Sequence, residues 1–108
     1  MITLNRPFTS SSGKYVSQLE LVWDNFSVLD IKNAMSIGQL VFGSSATLDA
    51  SVATRGGKLD PCIQVGLAWV SAIKSNPTLE LTTKDVMLLE PLDMYALMEE
   101  CQTGYLFR

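Results

Sequence analysis

The chain contains no histidine. That removes the commonest general base and the commonest metal ligand among the side chains. There are only two cysteines, Cys62 and Cys101, and they do not form a Cys-x-x-Cys pair, so a zinc site is disfavoured. Both fall in apolar helical patterns and are expected as buried free thiols in a reducing compartment. Parity permits a disulfide between them, but nothing in the spacing argues for one. Basic residues are few and scattered singly: Arg6, Lys14, Lys32, Arg55, Lys58, Lys74, Lys84 and Arg108. Eleven acids oppose these eight bases, for a net charge of −3 and a pI near 4.7. A duplex nucleic-acid binder normally presents a basic patch, so nucleic acid is not an expected partner. No apolar run approaches the roughly 20 residues that span a bilayer. The start, Met1-Ile2-Thr3-Leu4-Asn5-Arg6, lacks the charged-then-apolar layout of a signal peptide. The expectation is therefore no membrane partner and a cytoplasmic location.

Groups for catalysis are missing in the same way. Ser10, Ser11 and Ser12 have no histidine to activate them. Gly56-Gly57-Lys58 lacks the spacing and the Ser/Thr of a phosphate-binding loop, and one Arg-Gly-Gly copy reads as a spacer rather than an RNA contact. Glu99 and Glu100 are adjacent, and adjacent helix positions point in different directions. Asp85, Glu90 and Asp93 could gather at Pro91, but helix capping accounts for two of them. No catalytic residue, no metal and no cofactor is expected, and the protein reads as non-enzymatic.

What is present is 108 residues, 47% of them apolar. That suits one domain with a modest core. Its organising stretch is 82–107. Thr82 is a helix N-cap with Asp85 three residues on, and Leu81 and Val86 are spaced as a hydrophobic staple. A helix is predicted over 83–89. Pro91 then kinks it or opens a second helix at its first position. Met94, Leu97, Met98, Cys101 and Tyr105 share one side of that run, with Asp93, Ala96, Glu100 and Thr103 opposite. Gly104 is expected to stop the helix.

Earlier in the chain, Ile2 and Leu4 alternate with polar residues as a strand that Pro7 edges or ends. A turn-rich tract follows, then a second strand over 15–23 with Leu19, Leu21 and Trp23 on one face. Ser27 and Asp30 form a capping box, with Phe26 and Ile31 as the staple. The helix they open should run from Val28 to about residue 39 or 40, with Gly43 past its end. Val28, Ile31, Ala34, Met35 and Gly38 are its expected apolar stripe. Residues 43–59 are rich in Gly, Ser, Ala and Thr and read as a flexible linker. Asp60-Pro61 caps a helix over 62–74 that is apolar nearly all round, the expected centre of the core. Ser75-Asn76-Pro77 ends it. The predicted architecture is one α+β domain: a short N-terminal β-hairpin (1–23) packed on a small bundle of three to four α-helices. The helix of 26–42, the linker of 43–59 and the helical part of 60–108 make up the remainder.

This order of elements resembles the phage tail assembly chaperone family. The resemblance is carried by Leu4 with Arg6-Pro7, Gly13 followed by Leu19-Glu20-Leu21, and Asp30 with Ala34. It continues in Leu89-Glu90-Pro91-Leu92-Asp93-Met94-Tyr95 with Leu97 and Phe107, and covers most of the chain outside residues 43–58. It implies a non-enzymatic protein of the host cytoplasm, encoded by a phage or prophage and absent from the mature particle. The implied partner is the tape-measure protein, a long helical chain kept soluble until the tail-tube protein polymerises around it. The tail-tube protein is a second expected partner, and a homo-oligomer is left open. Trp69, Met94, Met98, Tyr105 and Phe107 are the candidate partner-binding residues, chosen for an adaptable, aromatic-rich surface. The competing class is a small structural tail or head-completion protein that stays in the particle.

Overall fold

A computed structural model of the chain describes residues 1–24, 26–43, 54–55, 58–59 and 61–106. It is the α+β arrangement that the pattern predicts, an antiparallel hairpin followed by helices. Strand β1 is Ile2–Thr9 and β2 is Tyr15–Leu19. Ile2, Leu4, Val16 and Leu19 are buried. The register is broken: Thr3 pairs with Gln18 and Phe8 with Val16, so residues 4–7 stand opposite Ser17 alone. Pro7 falls in this bulge, where its missing N–H costs the ladder nothing. It does not end the strand, which runs on to Thr9. The connecting turn closes through Gly13, whose N–H donates to the Ser10 carbonyl at 2.9 Å. Its φ of 87° is one that a side chain would resist.

The second strand is shorter than the alternation predicts, because its continuation pairs with side chains instead of a strand. The Asn76 amide bonds both ways to Glu20, accepting its N–H at 3.1 Å and donating to its carbonyl at 2.9 Å. The Ser71 hydroxyl does the same for Val22, at 2.8 and 2.7 Å. Each side chain stands in for a strand's peptide group, so the backbone at both positions is satisfied.

Helix α1 is Val28–Phe42. Its start is the predicted capping box, with Ser27 N–H donating to Asp30 Oδ2 at 2.9 Å and Asp30 N–H to Ser27 Oγ at 3.1 Å. It ends at Gly43, with φ 91° and its N–H on the Gln39 carbonyl. Ala34, Ile37 and Gly38 are its buried residues. Val28 is 87% exposed and leaves the predicted stripe. Helix α2 is Pro61–Ser75, and Cys62, Ile63 and every residue from Val65 to Ala72 are buried. It is the centre of the core, as its composition predicts. Two glycines bring α1 and α2 into backbone contact. A Cβ on Gly66 would be driven into the Ala34 carbonyl, and one on Gly38 into Cys62.

A 3-10 turn at Pro77–Leu79 leads to Glu80 in the left-handed region, and a second 3-10 helix covers Thr83–Leu88. The stretch predicted as helix over 83–89 is therefore wound more tightly, with Asp85 N–H on the Thr82 carbonyl. Asp85 Oδ2 accepts the Thr82 N–H at 3.0 Å, the acid half of the predicted box. Pro91 opens a separate helix α3, Pro91–Leu106. This helix passes straight through Gly104, which corrects the expected stop. A Cβ there would collide with the Trp23 indole, so the glycine is needed for packing and not for a turn. Of the segment predicted as a linker, Gly43 caps α1, and β3 (Thr54–Arg55) pairs antiparallel with β4 (Lys58–Leu59). The remainder of that segment lies outside the described residues.

Candidate partner-binding surface

Of the five residues singled out for partner contact, the three whose side chains the structure describes lie in or against the core. Trp69 is fully buried, and its indole N–H donates to the Thr82 carbonyl at 2.9 Å. Met98 is buried in the same core, and Met94 packs against it. These three serve the interior: Trp69 lies in α2, and Met94 and Met98 share with Leu97 and Cys101 the side of α3 that packs into the core. The Tyr105 side chain and Phe107 lie outside the described residues. Met richness at helical spacing marked a core face here.

Asp93 corrects a second expectation. It was placed on the polar side of α3, yet it is only 2% exposed. Its carboxylate reaches across to the β1 bulge, accepting Asn5 N–H at 2.7 Å and Arg6 N–H at 3.0 Å. Asp85, also buried, accepts Ser11 N–H at 3.1 Å and the Ser11 hydroxyl at 3.3 Å besides Thr82. Two carboxylates from the C-terminal third thus tie down the bulge and turn of the N-terminal hairpin. Each of their oxygens already accepts at least one hydrogen bond, which accounts for their burial structurally. Among the described residues no group of three His, Cys, Asp or Glu could hold a metal ion.

Other apolar groups do reach the surface, among them Tyr15 on β2, Val28, Leu29, Leu40 and Phe42 on α1, and four around the start of α3. Met87 and Leu88 on the 3-10 helix are exposed, and so are Leu92 and Tyr95 on α3. Leu92 and Tyr95 lie three apart and are helical neighbours. Glu99 continues their stripe, with Glu100 beside it, and both are exposed. Two shallow cavities flank this ridge. One, of about 390 Å³, is lined by Gln64, Tyr95, Met98 and Glu99 among others. The other, of about 340 Å³, involves Ile2, Ala96, Glu99 and Glu100. Glu90, just before α3, has Oε2 buried with no hydrogen-bond partner. The sequence signal for this surface was available: Leu92 and Tyr95 recur at helical spacing opposite Leu97 and Cys101.

Asp30 and Cys101, outside the surface, are perturbed. Asp30 is held below the ordinary carboxylate value by its hydrogen bond with Lys74, helped by the Ser27 N–H. The ion pair is 2.7 Å long, and Lys74 also lies over the Phe26 ring. A lowered folded-state pKa adds stability above the unfolded value, which is lost as pH falls through the folded one. Asp30→Asn is therefore expected to lower stability modestly at pH 7 and to make the decline below about pH 4 shallower. Urea melts across that range check it; an unchanged acid limb contradicts it. Burial pushes the Cys101 thiol up to about 12. With so little thiolate it should resist alkylation at pH 8 until the chain unfolds. Peptide mapping after iodoacetamide treatment, with and without guanidinium, reads this directly. Labelling of Cys101 in the folded protein would refute it.

Comparison with protein-family models, with curated proteins and with solved structures gave no match to this chain. No helix among the described residues is long and apolar enough to cross a membrane.

Proposed function

We propose that this chain is a tail assembly chaperone: a non-enzymatic protein that holds the tape-measure protein soluble in the host cytoplasm. It leaves when the tail-tube protein polymerises and is absent from the finished particle. The observation that carries the reading is the exposed apolar series Met87, Leu88, Leu92 and Tyr95. It falls on the 89–95 motif behind the resemblance, or just before it, and its Leu92 and Tyr95 are mounted on an element fixed by Pro91 and the Asp93 carboxylate. Exposed apolar groups held on a fixed element favour an interaction surface. A small surface binds weakly at each site, and many copies along one long client supply avidity while each copy remains releasable.

Co-expression with the large helical protein encoded beside it, followed by size-exclusion chromatography, tests the proposal. Co-elution, with the large protein soluble only when this chain is present, is the expected result. If the large protein precipitates regardless and this chain elutes alone, the reading fails. Mass spectrometry of purified particles separates it from a structural subunit, which would be found there.

A further inference from the structure

We propose that the outer face of α3 docks an amphipathic helix whose apolar side is flanked by lysine or arginine. The inference rests on the partner-binding reading above and specifies the chemistry of what is bound.

The apolar part is supplied by Leu92 and Tyr95, 62% and 57% exposed. Seven residues separate Leu92 from Glu99, so the stripe runs about 10 Å along the helix. That matches contacts at i, i+3 or i+4, and i+7 of a partner helix laid beside α3. The cavity of about 390 Å³ between Tyr95, Met98 and Glu99 gives such a helix a depression to fill.

The polar part has one sign. Between Lys84 and Arg108 the sequence contains five acids and no base. Asp85 and Asp93 are already satisfied by hydrogen bonds to the hairpin. Glu90, Glu99 and Glu100 remain. The carboxylates of Glu99 and Glu100 have no hydrogen bond or ion pair with any described residue, and the buried Oε2 of Glu90 has no donor. A partner covering Leu92 and Tyr95 would desolvate the exposed Glu99 and Glu100 carboxylates at the far end of the stripe. An acidic or uncharged helix would leave them uncompensated, at a cost that opposes docking. A helix carrying cations beside its apolar stripe meets each one with a counter-charge. Charge complementarity thus selects the occupant that an apolar patch alone would not.

The test is a titration of the full, isotope-labelled chain with two synthetic peptides of about 18 residues, or five helical turns. Both have the same leucine pattern; one carries lysine at the polar positions and the other glutamate. The lysine peptide is expected to bind in the tens of micromolar and to shift amides of α3 from Glu90 to Thr103; the glutamate peptide is not. Tyr95→Ser, Leu92→Ser and the pair Glu99→Lys with Glu100→Lys should each weaken binding about tenfold or more. The pair Glu20→Lys with Asp24→Lys makes the same charge change near the hairpin and should alter it less than about twofold. These are surface positions, and amide spectra report whether each variant is folded. Equal weakening by the two lysine pairs, shifts centred away from α3, or equal binding of the glutamate peptide overturns the proposal. If these fail while the large client still co-elutes, only the basic-helix assignment falls. Peptide binding at α3 without co-elution would instead remove the tail-chaperone reading.

Discussion

Asp93→Ala is expected to destabilise the protein by about 3 kcal/mol, a large part of the roughly 5–15 kcal/mol that holds a domain of this size. The carboxylate accepts two backbone N–H groups in the β1 bulge and is almost wholly buried. It also sits in the first turn of α3, where the helix dipole favours negative charge. Hydrogen bonds to a charged acceptor contribute about 1.5–3 kcal/mol each. Asn5 and Arg6 are themselves exposed, so water recovers part of that loss. Asp93→Asn keeps the shape and one acceptor but turns an amide donor toward one of the two N–H groups, so about half the loss is expected. Urea midpoints give the magnitudes, and hydrogen exchange gives the location: Asn5 and Arg6 should lose protection ahead of the α2 core. A loss under about 1 kcal/mol with β1 protection intact would show that the bulge does not depend on this carboxylate.

The second large effect is expected at Gly66. Alanine there adds one methyl group and improves helix propensity by about 1 kcal/mol. The methyl has no room, because it points into the backbone carbonyl of Ala34 on α1. Overpacking of a tight core costs about 1–3 kcal/mol when side chains can yield, and more when they cannot. A net loss of about 2 kcal/mol is expected, a Tm lower by about 10 °C. The obstacle is backbone, which makes the test sharp. Adding Ala34→Gly to Gly66→Ala should not restore stability, since it leaves the carbonyl in place. Rescue by the double variant would mean that the two helices meet through side chains.

The helix starts were legible because each rests on local chemistry. Ser27 with Asp30, Asp85 folding back on Thr82, and prolines at the first positions of α2 and α3 act within a turn of where they stand. The all-round apolar α2 was legible because only a central element tolerates that pattern. What escaped depends on residues far away in the chain. Asp93 looks polar on its own helix, and its burial follows from an irregular strand 87 and 88 residues earlier. Gly104 obeys a stop rule until Trp23 is placed against it. Residues 20–23 alternate like a strand, and their partners proved to be Asn76 and Ser71. On α3 the sequence offers two apolar stripes, Met94–Leu97–Met98–Cys101 and Leu92–Tyr95. Periodicity cannot say which one turns inward; the positions of α2 and the hairpin decide it. Choosing the methionine stripe for partner contact selected the core.

The clamping of the hairpin by Asp85 and Asp93 also sets an order of events during synthesis. Residues 2–19 are translated before α3, and a two-stranded hairpin alone is marginal in water. Its bulge and turn gain their acceptors only after residue 93 has been made, some 74 to 88 positions later. Closing so long a loop precedes any reward from the contacts it permits. The hairpin, made before α3, is therefore fixed only after it, and its apolar residues stay exposed until α3 is made.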